Sequence, residues 1–591
     1  MKKRWDLNKL YKNFTDQEFL QDRKKFTEQL SSLEKWDPDI SGYNIATAEM
    51  FIQNLTELYE VYTRLYAYSI LTVSVDARNE EGLKIIEELE KEATRLTGPR
   101  VRFQIWLSGL NNLTDLIQSS ALLEEHAFFL EELVKKSRYL LSEKEETIIA
   151  ELQQTGSSAW TRLHEKLTST LTVEVELEGK TKKLPLPEAR NLAFKKDPRV
   201  RQSGYSAELK AYVKIEEPAA AALNGIKGEV LTLSERRGFQ DPLEETLLKS
   251  RMDRETLETM LEAMRDFLPH FRDFYQAKAR LLNKGESLPF YDLFAPLGEV
   301  KMEFTLEEAR DYIIKNIRSF SPEMAQLYRQ AFSEHWIDTE PRDGKRGGAF
   351  CLNISPIGES RILSNFTGSF NDLTILAHEL GHAYHGHCLK GESILNTNYP
   401  MPLAETASIF SETVVTNAAI KEADSEQAFS ILESRISQAG QVIVDIYSRY
   451  IFESNLFAHR KKASLSVEEL KDLMLQAQKE AYGEALNHEY LHPYAWLSKP
   501  HYYSAETNFY NFPYAFGLLF GLGIYSLYLE RGEAFLPDYN MLLKATGRNT
   551  AAEVAKMANI DLHSRDFWDK SLAVIKNDIA DFLELAKKRS V

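Results

Sequence analysis

The chain has 591 residues, of which 43% are hydrophobic and 27% charged, and its formal net charge is −16. That balance suits a soluble globular protein of two or three domains, or one large helical body. The acidic excess leaves no surplus of cations to neutralise phosphates, which argues against nucleic acid as the main partner.

The N-terminal Met1-Lys2-Lys3-Arg4 is basic, but no apolar stretch follows it, so no secretory signal is expected. No run of about eighteen apolar residues occurs either, so neither a membrane-spanning helix nor a membrane partner is expected. Cys351 and Cys388 are too few for a disulfide framework, and a reducing, cytoplasmic setting is expected.

Residues 1 to about 140 are rich in Leu, Glu, Lys and Ala and poor in Gly and Pro. Ala46 to Thr72 and Glu80 to Thr97 carry a helical period, and Ser142 with Glu145 forms a capping-box signature, so this part reads as a helical array. Leu171 to Leu186 alternates apolar and polar residues around Glu178-Gly179-Lys180, the pattern of a hairpin. A boundary near residue 190 divides the chain into a helical N-terminal domain, 1–190, and a second domain, 191–591. Asp253 and the pair Thr305/Glu308 mark further helix starts. Two short strands are expected next, from Lys345 to Leu352 and from Ser360 to Thr367. The Gly347-Gly348-Ala349 run in the first lets another backbone come close, as a peptide on an edge strand does; an ordinary turn and strand explain it equally well. Beyond residue 370 the pattern is almost entirely helical, with Ser466/Glu469 and Thr550/Glu553 capping later helices.

The stretch Ile375 to Tyr384 contains His378-Glu379-Leu380-Gly381-His382. On a helix, residues four apart project from nearly the same face, so His378 and His382 can grip one metal ion from one side. Glu379 lies one step round, where a base is needed to take the proton of an attacking water. Leu373, Leu376, Leu380 and Tyr384 form the apolar back of the same helix.

A catalytic zinc usually takes three protein ligands. Candidates for the third are His385, His387, Cys388, Glu405 and Glu412. His385 stands nearly one turn further along the same helix, too far to close a tetrahedron with the other two. Glu405 fits better, since a helix starting near Pro402 carries Glu405, Ser408 and Glu412 on one face and Leu403, Ala407, Phe410 and Val414 on another. Glu412 is placed to hold a ligand histidine through its second ring nitrogen, or else faces solvent. One Zn2+ is preferred for a His2Glu set, although Mn or Co can substitute. Far downstream, His488, His492 and His501 precede an aromatic run from Tyr502 to Phe516. Such hydroxyls and a histidine can donate to an oxyanion, or the run can be a core patch.

These residues carry a family resemblance. His378 to His382, Leu403-Ala404-Glu405-Thr406-Ala407-Ser408, Lys345 to Phe350 and Phe509 to Tyr514 resemble oligoendopeptidase F, within the thimet oligopeptidase-like zinc metallopeptidases. The resemblance implies a mainly α, zincin-like body with a small β-sheet beside the motif helix and a deep substrate channel that admits short peptides. It implies His378, His382 and Glu405 as zinc ligands and Glu379 as general base. Gly347, Gly348 and Ala349 then lie on the substrate side, and His501, Tyr510 and Tyr514 polarise the scissile carbonyl. The spacing of the tyrosines leaves Tyr502 and Tyr503 as alternatives.

The expected activity is hydrolysis of internal bonds in short oligopeptides. Two other readings are an aminopeptidase of related zinc type, for which no amine-holding acidic motif is recognisable, and a non-catalytic helical peptide-binding protein. The intact His378, Glu379, His382 and Glu405 argue against the latter.

Overall fold

Among the described residues, five short strands interrupt a chain that is otherwise helical and turn. The structure is a computed structural model and describes residues 3–36, 44–298 and 302–589. Its contacts divide it into two units. The first is built from residues 1–140, 301–418 and 527–560, the second from 141–300, 419–526 and 561–591. This spatial division cuts the chain at different places from the sequence boundary near residue 190.

In the first unit, Asn44 caps a 31-residue helix, Ile45–Val75, that buries Phe51, Leu55, Leu58 and Leu65 on one face. This spacing of three and four places a continuous apolar stripe toward the core. The stripe packs on Phe26, Leu30 and Leu33 of helix Gln17–Glu34 and on Phe103, which stacks on Phe51 at 3.9 Å. Each such side chain contributes about 1.5–3 kcal/mol when fully buried. Ile354 and Leu395 belong to the same core, so the N-terminal helices and the strands before the motif helix share one apolar interior.

Those strands are β3 (Ile337–Asp338), β4 (Phe350–Ile354) and β5 (Glu359–Leu363), in the order β3-β5-β4. β5 pairs antiparallel with β4 and parallel with β3. The first strand therefore begins at Phe350 rather than Lys345, and β3 went unread because two residues carry no alternation. The reason for the late start is Lys345. Its ammonium is buried, 2.8 Å from Asp338 Oδ1, and donates to the carbonyls of Asp338, Glu340 and Ser364. The chain is thereby pinned before it turns into β4.

In the second unit, β1 (Thr172–Leu177) and β2 (Lys180–Pro185) form the expected hairpin, with Leu177 opposite Lys180. Glu178 and Gly179 both have positive φ, the requirement of a tight two-residue turn of this hand. Val173 and Val175 point into a core that includes Tyr212, Leu223 and Trp496. Helices Glu216–Arg237, Arg254–Leu281 and Arg565–Arg589 are the unit's long elements. The expected caps at Ser142, Asp253, Thr305, Ser466 and Thr550 are all formed. One helical run, Phe512–Arg548, is long and apolar enough to cross a membrane by length and composition, but 67% of its apolar window is buried inside the protein, as in a core helix.

Candidate functional site

The motif helix runs Phe370–Cys388. Ser369 caps it, and Asp372 answers as the other half of a capping box while also accepting from the backbone of Thr367 and Gly368. Leu373, Leu376, Leu380 and Tyr384 are buried along its back. The Tyr384 hydroxyl donates to Asn540 Oδ1 at 2.7 Å. His385 is fully buried, stacked on Tyr399 at 4.1 Å and 2.8 Å from Thr546 Oγ1, so it belongs to the interior and does not join the other histidines.

The helix carrying Glu405 is not continuous. Met401–Ala404 is one short turn, Glu405 closes it with φ −85° and ψ 1°, and Thr406–Glu422 follows. This break swings the Glu405 carboxylate toward the motif helix, where Ser408 Oγ donates to it at 2.7 Å. Glu405 Oε2 lies 3.2 Å from His378 Nε2 and 3.5 Å from His382 Nε2. One donor atom from each of His378, His382 and Glu405 lies within 4.8 Å of the others. Glu412 Oε2 is 3.0 Å from the other ring nitrogen of His378. Ser411 Oγ donates to the Ala377 carbonyl and accepts from Tyr328, which ties the two helices together. Where they meet, a Cβ on Gly381 would sit 2.5 Å from the Ala407 carbonyl oxygen.

The electrostatics favour a positive charge on His378 and a neutral His382. Burial pulls His378 down, but Glu405 and Glu412 outweigh it and raise the imidazole to about 10. Glu405 is held at about 2 because His378 and His382 outweigh its own burial. Burial and the neighbouring His378 push His382 down to about 4. Glu379 is buried and makes no ion pair among the described residues; burial raises its carboxyl to about 7, with His378 opposing and Glu405 and Glu412 adding.

Gly347 and Gly348 are exposed in the turn before β4, and a Cβ on either would meet nothing within 4 Å. Asn365 Nδ2 donates to the carbonyls of Arg346 and Gly348 and fixes the turn, with half-buried Ala349 following. β4 is an edge of its sheet, so one side of its backbone is unpaired with any strand.

In the second unit, His501, Tyr510 and Tyr514 come together. Ring centroids are 5.5 Å apart for His501–Tyr510, 6.5 Å for His501–Tyr514 and 5.5 Å for the two tyrosines. All three are partly exposed, whereas Tyr502 and Tyr503 are core residues, Tyr503 stacked on His164 at 3.4 Å. His488 and His492 lie elsewhere: His488 near Gly483, and His492 among Tyr205, Tyr212 and Phe290. Burial, reinforced by Arg449 and Lys499, lowers His501, which keeps its ring neutral near pH 7.

Two residues that sequence reasoning missed hold the tyrosine segment. Lys227 is fully buried; its ammonium donates to Glu453 Oε1 at 3.0 Å and Asn508 Oδ1 at 2.8 Å. Glu453 Oε2 in turn accepts from Asn511 Nδ2. The network brackets Phe509, whose φ of 51° is rare for a bulky residue. No local pattern marks Lys227 or Glu453, because their partners lie hundreds or tens of residues away.

A profile for peptidase family M3 matches residues 191–574, and one for oligopeptidase F matches residues 110–172. The oligoendopeptidase F homologue of Borreliella burgdorferi is 24% identical over 592 residues, spanning 97% of this chain and 96% of its own. Among solved structures, a Chlamydophila abortus protein described as a peptidase superposes with a TM-score of 0.85 at 23% identity, covering 99% of this chain and 98% of its own. The oligoendopeptidase-F of Enterococcus faecium does so with 0.73 at 18% identity, covering 97% and 99%. The fold is thus shared along the whole chain. The M3 profile spans both the His378–Glu405 group and the His501–Tyr514 segment, and this chain belongs to peptidase family M3 as an oligopeptidase.

Proposed function

We propose that the protein is a cytoplasmic zinc endopeptidase that hydrolyses internal bonds of short oligopeptides, with residues 191–591 as its catalytic domain. The observation that carries this reading is the convergence of His378, His382 and Glu405, three donors of the type and number that a catalytic zinc uses. They would hold the ion, and Glu412 would orient His378 through its second nitrogen. Zinc, when bound, supplies a Lewis acid for the peptide carbonyl and lowers the pKa of water.

Glu379 takes a proton from the attacking water and passes it to the leaving amine. Tyr510 and Tyr514 donate to the oxyanion, with neutral His501 beside them. Gly347, Gly348 and Ala349 lie under the substrate, whose backbone pairs with the free edge of β4 as an added strand. No acyl-enzyme forms.

The test is cleavage of N-blocked, internally quenched peptides by metal-quantified protein, with and without chelator. Internal cuts that chelator abolishes and zinc restores are expected. Cleavage only of peptides with a free amine sinks the endopeptidase reading, and cleavage indifferent to chelator sinks the metal. Replacing Tyr510 or Tyr514 with Phe is expected to lower kcat by about 10²–10³ for the principal donor, with little change in KM. If neither change moves kcat more than threefold, the oxyanion assignment is wrong.

A further inference from the structure

The second unit contains a cavity of about 670 Å³ that the proposed chemistry does not use. Its volume lies in the range of small-ligand sites. Part of its wall is Gln441–Asp445, a π-helical turn between helices Ser425–Gly440 and Ile446–Arg460. Single π turns of this kind cost hydrogen-bond geometry and recur at functional sites.

The cavity wall carries both signs of charge, Arg190, Arg201 and Lys499 with Glu165, Glu208 and Asp445. Asp445 serves two cations, Arg449 at 2.5 Å and Lys499 at 3.8 Å. Glu208 serves Arg190 at 3.4 Å, accepts from the Tyr212 hydroxyl at 2.8 Å and lies 3.6 Å from His492. Arg201, also in the wall, is spent on Asp292 at 2.7 Å, and Glu165 is an exposed residue of the lining. The Lys499 ammonium donates no hydrogen bond among the described residues. Burial, with Arg449 and Arg190 against Asp445, holds it down to about 8. His492 is 4% exposed, and its Nδ1 has no hydrogen-bond partner. An ammonium that donates no hydrogen bond and an idle buried nitrogen beside an open cavity suit an anion. The wall also has an apolar part, with Phe194, Phe290, Leu293 and Phe294.

We propose that this cavity binds the free carboxylate end of a peptide, with Lys499 and Arg190 taking the carboxylate and the phenylalanine wall taking an apolar terminal side chain. The same chemistry belongs to the C-terminus of an intact substrate and to a released C-terminal fragment. The assignment rests on the peptidase reading only for the choice of a peptide as ligand.

The test uses full-length Glu379→Gln protein and two fluorescent hexapeptides ending in Phe, identical except that one ends in a carboxylate and the other in a carboxamide. The acid is expected to bind about tenfold more tightly, the worth of a charge-assisted hydrogen bond. Lys499→Met and Arg190→Gln are each expected to bring the ratio below about threefold while leaving the amide's affinity as it was. Arg190 is partly exposed, so its variant keeps the comparison available if the Lys499 variant does not fold. Equal binding of acid and amide, or a preference that survives both substitutions, overturns the proposal. Because binding is read without turnover, failure of the endopeptidase reading leaves this result standing. With active enzyme, a matching KM difference assigns the site to the substrate's own end. Equal KM values, with N-acetyl-phenylalanine displacing the acid peptide, assign it to the released fragment.

Discussion

Glu379→Gln is expected to lower kcat on a blocked, quenched peptide by about 10³–10⁴, the upper part of the range for loss of a general base. Metal content is expected to stay at that of the unmodified protein. The two outcomes separate because of where Glu379 sits. It follows His378 on the motif helix, yet its carboxylate is absent from the His378–His382–Glu405 group. It is buried, and that burial lifts its carboxyl to about 7, near the pH at which a base is most useful. Gln keeps the shape and removes the proton acceptor. Measuring kcat beside bound metal per chain checks this. More than a tenth of the activity retained would remove Glu379 from the role, and loss of metal would make it a ligand instead.

Gly381→Ala is expected to weaken metal binding by roughly tenfold to a hundredfold without touching a donor atom. A Cβ at 381 would lie 2.5 Å from the Ala407 carbonyl oxygen, 2.6 Å from Ser408 Cα and 2.8 Å from the Ala407 carbonyl carbon. These are backbone atoms, so the helices must part, at about 1–3 kcal/mol of stability. Ala407 is two residues from Glu405, whose 3.2 and 3.5 Å contacts to the histidines depend on that approach. Chelator competition and thermal unfolding of the metal-free protein measure the two effects. Unchanged metal affinity would mean that Glu405 is positioned independently of the helix contact.

What could be read before folding was whatever chemistry is local in sequence. His378, Glu379 and His382 occupy one helical turn, so their geometry follows from 3.6 residues per turn. The hairpin at Glu178-Gly179 and five helix caps are equally local. Glu405 was legible as a carboxylate near the motif, but not the break at its own position, because that break depends on packing against the motif helix. Tyr510 and Tyr514 could not be separated from Tyr502 and Tyr503 by spacing; burial of the latter pair separates them. Lys227, Glu453 and the cavity at Lys499 were invisible, since each joins segments distant in sequence whose side chains carry no pattern of their own.

The back of the motif helix is closed by residues that the ribosome makes late. Tyr384 bonds to Asn540 and His385 meets Thr546, both within the 527–560 segment that completes the first unit. At about 5–20 residues per second, the motif helix emerges roughly 8–30 seconds before its cover does. Throughout that interval Tyr384 and His385 lack their native partners, and the nascent chain is open to chaperones and proteases. A chain ending at residue 526 would hold every side chain proposed for the chemistry and still lack the wall that makes its helix a stable one.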